Sequence, residues 1–158
     1  PGHFDGVATV VAKLLSMVDP DVAVFGAKDW QQTRVVRRLV RELALSVEIT
    51  TGPVVREADG LAMSSRNRYL DSAQRARAPQ LHATLEWMRE SFIEGHARVA
   101  VEGAAMRRLE RAGFVADYAA VRRAEDLGIP ADDERTGLMA LVAARLGETR
   151  LIDNLAFD

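Results

Sequence analysis

The sequence predicts an α/β fold whose first part belongs to a parallel sheet and whose second part is a small α+β unit ending in antiparallel strands. Three observations carry this. Before Thr51, a helical pattern is followed by a short apolar run, and the pair then repeats. Thr51-Gly52-Pro53 punctuates the chain, and beyond Asn67 helices come first and strands after. Near the end, two strand-like runs are separated only by Gly147-Glu148, the spacing of a tight antiparallel hairpin. The units predicted from this are residues 1–53 and 54–158.

Each element has a local reason. Val7, Val10, Val11, Leu14, Leu15 and Val18 recur on one helix face after Asp5, a suitable N-cap, and predict a helix over Asp5–Val18 that Asp19-Pro20 stops. Asp21–Gly26 is apolar and too short for a helix, as expected of a strand buried on both faces. In Gln31–Leu43, Val36, Leu39, Val40 and Leu43 share a face, with Arg34, Arg37, Arg38 and Arg41 mostly elsewhere; Val47–Thr50 reads as the next strand. Asp71 to Gln74 forms a capping box that opens a helical region to Gly95, with Leu81, Leu85, Met88 and Phe92 as its stripe and Pro79 as a kink or restart. Arg98–Ala112 reads as a further helix, and Phe114–Arg122, Leu138–Leu146 and Thr149–Asp153 read as strands.

Composition narrows the function classes. The 158 residues are 48% hydrophobic and 28% charged, enough apolar mass for a real core. There is no apolar run of about 18 residues and no charged-then-apolar leader, so the cytoplasm is the expected setting and no membrane partner is expected. The chain opens on Pro1-Gly2-His3-Phe4 and passes straight into a helical pattern, as though it began inside a domain. Cysteine is absent, which excludes disulfides, thiolate zinc sites and cysteine nucleophiles; a net charge of -2 gives no general attraction to nucleic acid. The four arginines of the second helix read as a solvated face, because aromatics do not interleave with them. His3, His82 and His96 have no metal-ligand spacing, and no metal site made by the protein alone is expected.

Two stretches hold candidate chemistry. Gly26-Ala27-Lys28-Asp29 falls between a strand and the following helix, where parallel sheets bind ligands. A glycine allows close approach, an ammonium neutralises phosphate, and a carboxylate accepts from ribose hydroxyls; the competing reading is a solvated Lys and an Asp N-cap, which spacing alone favours. Met63-Ser64-Ser65-Arg66 gathers two hydroxyls, successive backbone N–H groups and a guanidinium, with Arg56 and Arg68 nearby. That grouping suits phosphate oxygens, and a serine-capped turn is the alternative. No base or nucleophile stands out, so electrostatic catalysis fits better than covalent catalysis.

Val24-Phe25-Gly26-Ala27-Lys28-Asp29-Trp30-Gln31-Gln32 and Arg56-Glu57-Ala58-Asp59-Gly60-Leu61-Ala62-Met63-Ser64-Ser65-Arg66-Asn67-Arg68-Tyr69-Leu70 resemble the pantothenate synthetase (pantoate–β-alanine ligase) family. Gly2-His3-Phe4, Val142–Gly147 and Thr149–Asn154 extend the resemblance along essentially the whole chain. It implies ATP-dependent joining of pantoate to β-alanine through a pantoyl-adenylate, with release of pyrophosphate and AMP, in coenzyme A precursor biosynthesis. It also implies a Rossmann-like nucleotidyltransferase fold with a C-terminal lid and dimerisation domain, working as a cytoplasmic homodimer. Nothing here matches the family's H-x-G-H signature or the acidic residues that help hold Mg2+, so the chain corresponds to the second part of the family's length.

Residue by residue, the resemblance makes Gly26 and Asp29 contacts to the ATP ribose and Lys28 the cation on the phosphates, with Ala27 in the same ATP-binding turn. Val55 touches adenine. Met63, Ser64, Ser65 and Arg66 form a mobile loop that closes on the nucleotide. Gln32 bonds pantoate, Val7, Val10 and Val11 line its pocket, and His3 lies near the substrate. Lys28, Ser65 and Arg66 are the expected catalytic residues. ATP enters as substrate with Mg2+ carried on its phosphates and on the family's first part. The rival expectation is a non-catalytic module that dimerises or binds nucleotide weakly; RNA binding through the arginine-rich helix ranks below both.

Overall fold

Short apolar runs that follow helices satisfy their backbones by pairing side by side, and the helices then cover one side of the pair. The first of two units in this computed structural model, which describes residues 2–131 and 133–157, is built that way; the units are Pro1–Val54 and Val55–Asp158. In the first, α1 (His3–Val18), β1 (Val22–Gly26), α2 (Trp30–Glu42) and β2 (Glu48–Gly52) follow in order. β1 and β2 are parallel, in register from Val22 opposite Glu48 to Gly26 opposite Gly52. Leu15, Val36, Val47 and Ile49 are its buried core, with Ala23 and Phe25 packed against them.

Several details differ from expectation. β1 is not buried on both faces: Ala23 and Phe25 turn to the core, while Val22 and Val24 are 50% and 70% exposed. α1 buries only Leu15 and leaves Val10, Leu14 and Val18 exposed. A helical period marks an apolar stripe, but the neighbour present covers only part of its width. α1 also begins two residues early, at His3 behind an N-cap Gly2 in a left-handed conformation (φ 87), so that Asp5 lies in the first turn rather than capping it. On α2, Leu43 is exposed at the C-cap and Thr33 is fully buried instead, its hydroxyl donating to the Trp30 carbonyl at 2.7 Å.

The second unit contains α3 (Ser72–Arg77), α4 (Gln80–Ile93), α5 (Arg98–Arg111), β3 (Val115–Arg123), β4 (Leu138–Leu146) and β5 (Thr149–Phe157). The strands form an antiparallel sheet in the order β3-β4-β5. Asp71 accepts from the Gln74 N–H at 2.8 Å and Gln74 returns the bond at 3.1 Å, the capping box read from the sequence. Pro79 then caps α4, so the helical region is interrupted there as a restart. Leu81, Leu85, Met88 and Phe92 are all buried against alternate residues of β4, among them Ala140, Val142 and Ala144. Glu102 of α5 ties that helix to β3 by accepting from the Val121 N–H at 2.8 Å and from Arg122 at 2.7 Å. At the β4–β5 hairpin Leu146 pairs with Thr149, and Gly147 takes φ 58, the left-handed first position that a two-residue turn of this kind requires. No helix among the described residues is long and apolar enough to cross a membrane.

The core separates two classes of apolar residue. Leu85→Ala leaves a cavity at a fully buried position and is expected to cost about 2–5 kcal/mol in denaturant unfolding. Val24→Ala, on the exposed side of β1, is expected to change stability by no more than about 0.5 kcal/mol in the same measurement. His82 adds a pH dependence: burial first, then the Arg56 guanidinium, holds its imidazole below the usual 6.5, against opposing pulls from Asp153 and Glu86. The unfolded chain then takes up the proton first, so stability present above 6.5 is lost as pH falls through that value. In a series of Tm against pH, His82→Gln is expected to flatten this acid-side loss.

Candidate functional site

In the first unit, β1 delivers Gly26 to its C-terminal end, Ala27–Asp29 forms a single 3-10 turn, and Trp30 opens α2. Gly26 has ordinary extended backbone (φ -73, ψ 133), and a Cβ added there would meet nothing within 4 Å. Neither conformation nor packing within the chain calls for glycine at this position. Lys28 is half-buried in the turn. Asp29 stands at the N-cap of α2, the position the alternative reading gives it, with its carboxylate exposed and making no capping bond. Gln32 is half-buried one turn further on. On α1, which packs on α2, Val7 and Val11 are half-buried and Val10 is exposed; His3 begins the helix with its ring against Phe4 at 5.1 Å.

In the second unit the string Val55–Met63 folds back on itself. The Met63 N–H donates to the Val55 carbonyl at 2.9 Å, Glu57 N–H to Leu61 at 2.8 Å, and Arg56 faces Ala62 in an antiparallel bridge. Facing residues of such a pair share a side, so Val55 and Met63, 61% and 51% exposed, form a small apolar platform, while Leu61 and Ala62 are buried. A 3-10 turn, Ser65–Tyr69, follows; the Ser64 hydroxyl caps it by accepting from the Arg66 N–H at 3.2 Å. The serine-capped turn is therefore present, and it leaves Ser65 and Arg66 outward. The Arg66 guanidinium is exposed and has no hydrogen-bond or ion-pair partner among the described residues.

The three arginines grouped by sequence do not act as one cluster. Arg68 lies over the Tyr69 ring at 4.8 Å and donates to its hydroxyl at 2.6 Å. Arg56 holds Asp153 of β5 with two bonds, 2.7 and 3.1 Å, and donates to the Gly60 and Asn154 carbonyls at 3.1 Å each. Arg56 thus has its charge answered, whereas Arg66 and Arg68 are exposed and no carboxylate pairs with either among the described residues. Asp153 and Asn67 were not singled out by sequence reasoning. Asn67 donates its amide to the Ala62 carbonyl at 3.1 Å and closes the loop from the other side. A signal for Asp153 exists in retrospect: it occupies the same inward alternation as Thr149 and Leu151, and an inward carboxylate demands a cation. No group of three or more His, Cys, Asp or Glu side chains that could hold a metal ion occurs among the described residues.

Comparison with known proteins gives these positions a context. The family model "Pantoate-beta-alanine ligase" matches residues 1–156. Pantothenate synthetase of Xanthomonas oryzae pv. oryzae (strain MAFF 311018) is 55% identical over 157 residues, covering 99% of this chain and 56% of that protein. Its counterpart in Xylella fastidiosa (strain 9a5c) is 56% identical with the same coverage. Among solved structures, pantothenate synthetase from Thermus thermophilus superposes with a TM-score of 0.91 at 47% identity, over 99% of this chain and 57% of that one. Pantoate–β-alanine ligase from Francisella tularensis, solved with beta-gamma ATP and β-alanine, gives 0.75 at 26% identity, over 99% and 51%. The chain thus spans little more than half the length of these relatives. With nearly all of its residues matched by the family model, this chain belongs to the pantoate–β-alanine ligase family.

Proposed function

We propose that the chain supplies part of an enzyme that joins pantoate to β-alanine with ATP. In this reading residues 1–53 are the second half of the nucleotide- and pantoate-binding domain, and 54–158 are the lid and dimerisation domain of a cytoplasmic homodimer. The observation that supports it most is that the family match runs through both polar stretches, Gly26–Gln32 and Met63–Arg66. The ATP in the Francisella relative supports the choice of nucleotide.

The chemistry asks for charge stabilisation. A carboxylate oxygen of pantoate attacks the α-phosphorus of ATP, the bond to the β-phosphate breaks, and pyrophosphate leaves with the electron pair. Lys28 and Arg66 neutralise the crowded phosphates and the Ser65 hydroxyl donates to them; Gly26 and Asp29 contact the ribose with Ala27 in the same turn, Val55 touches adenine, and Met63 and Ser64 belong to the loop that closes on the nucleotide. Mg2+ arrives on the ATP phosphates as part of the substrate. Gln32, with the wall of Val7, Val10 and Val11 and with His3 nearby, orients pantoate. The neutral amine of β-alanine then attacks the acyl carbon, an amide forms, AMP departs and the amine loses its proton; alignment is the main requirement of this step.

A second reading concerns the chain alone. Its apolar Val10, Leu14, Val22 and Val24 are exposed, and it spans 56% of its relatives, so in isolation it acts as a weak nucleotide binder or a dimerising module.

Two measurements test these readings. Lys28→Ala in the complete enzyme is expected to lower adenylation, followed as pyrophosphate release, by about 10²–10³ while leaving Tm essentially unchanged; normal turnover would remove the phosphate role. The chain alone, given ATP, pantoate and β-alanine, is expected to release no pyrophosphate until the first half of a relative is added. Turnover without that addition would show the second reading to be wrong.

A further inference from the structure

The loop that carries Ser65 and Arg66 makes its own bonds locally. Ser64 caps Arg66, the Asn67 N–H donates to the Ser64 carbonyl at 3.1 Å, and the Asn67 side chain reaches only to Ala62. Such bonds shape the loop but do not fix where it stands over the sheet. One attachment that does so enters through Ala62, whose bridge partner is Arg56. The Arg56 guanidinium, 20% exposed, grips the 1% exposed carboxylate of Asp153 and two backbone carbonyls, one on its own turn and one on β5. Beneath the turn, Gly60 (φ 88) lies so close to His82 of α4 that a Cβ would stand 2.8 Å from its ring. Beside it, Asp59 pairs with Arg75 of α3. On the far side of the loop, the Ser65–Tyr69 turn lies against β5 as well.

We propose that Arg56 and Asp153 are positioning residues for the nucleotide-closing loop: their bidentate pair sets the base of Met63–Arg66 on β5 so that Arg66 is presented outward. The nucleotide part of this statement rests on the ATP reading above. Four bonds from one planar group are needed, two to the carboxylate and one to each carbonyl. A guanidinium supplies them and an ammonium does not, because Lys is a point charge with three donors on one nitrogen.

Arg56→Lys keeps the charge and removes the fork. Followed by hydrogen exchange on the full chain, it is expected to speed exchange at the Met63, Arg66 and Asn67 amides by about tenfold or more, with the β4 amides of Leu138–Leu146 unchanged. The double variant Arg56→Met with Asp153→Leu leaves no unpaired buried charge. It also removes the guanidinium donors to the Gly60 and Asn154 carbonyls and the Asp153 acceptor of the Asn154 N–H, so it is expected to have a Tm above that of Arg56→Met alone but below that of the parent, while the loop amides still exchange fast, which a purely structural pair would not do. Loop exchange that is unaltered in both variants, or that rises equally in β4, overturns the proposal. In the complete enzyme, Arg56→Lys is expected to raise the KM for ATP several-fold and leave the KM for β-alanine unchanged. Fast loop exchange with an unaltered KM for ATP would retain the positioning role and reject the nucleotide reading of the loop.

Discussion

A carboxylate that is 1% exposed in an apolar sheet is tenable only beside a cation with good geometry, and Asp153 meets that condition through Arg56. Much of the second unit follows from this pairing. It draws the Val55–Met63 turn onto β5, where Gly60 can press on His82 and Leu61 can enter the core with α4. It also lets β5 run on to Phe157 past Asp153-Asn154, because the polar side chain that would otherwise end a buried strand is neutralised within it. The loop beyond Ala62 inherits its starting point from the same contact.

The large features were legible in the sequence where one local rule acts alone. The capping box at Asp71, the α4 stripe and the Gly147 hairpin each depend on residues a few positions apart, and each formed as read. Readings failed where the outcome depends on what lies opposite. The apolar character of Val22 and Val24 says that they suit burial, yet burial needs a covering element, and on this side of β1 they are exposed. β5 runs beyond the predicted end at Asp153 to Phe157 for a related reason: the sequence does not show the distant cation that neutralises Asp153 within the strand. At the site, spacing could name Arg56 as basic but could not see that its charge is already answered.

The two polar stretches are built on different principles. Gly26–Asp29 is a strand, a single turn and a helix start, so its geometry follows from regular elements on both sides. The Met63–Arg66 loop has a 3-10 turn on one side and only an isolated bridge on the other, which the side chains of Arg56 and Asn67 reinforce. Within Arg56–Leu70, the outward Ser65 and Arg66 are outnumbered by Arg56, Asp59, Gly60 and Asn67, which face other parts of the same unit.

Arg56 and Asp153 are also 97 positions apart in the chain. Closing so long a segment carries an entropic cost that is recovered only once the sheet provides the strand on which the carboxylate sits. The footing of the loop next to Ala62 therefore depends on β5 being in place to present that carboxylate. An opening that frees β5 thus removes the support of this loop as well, however far apart the two lie along the chain.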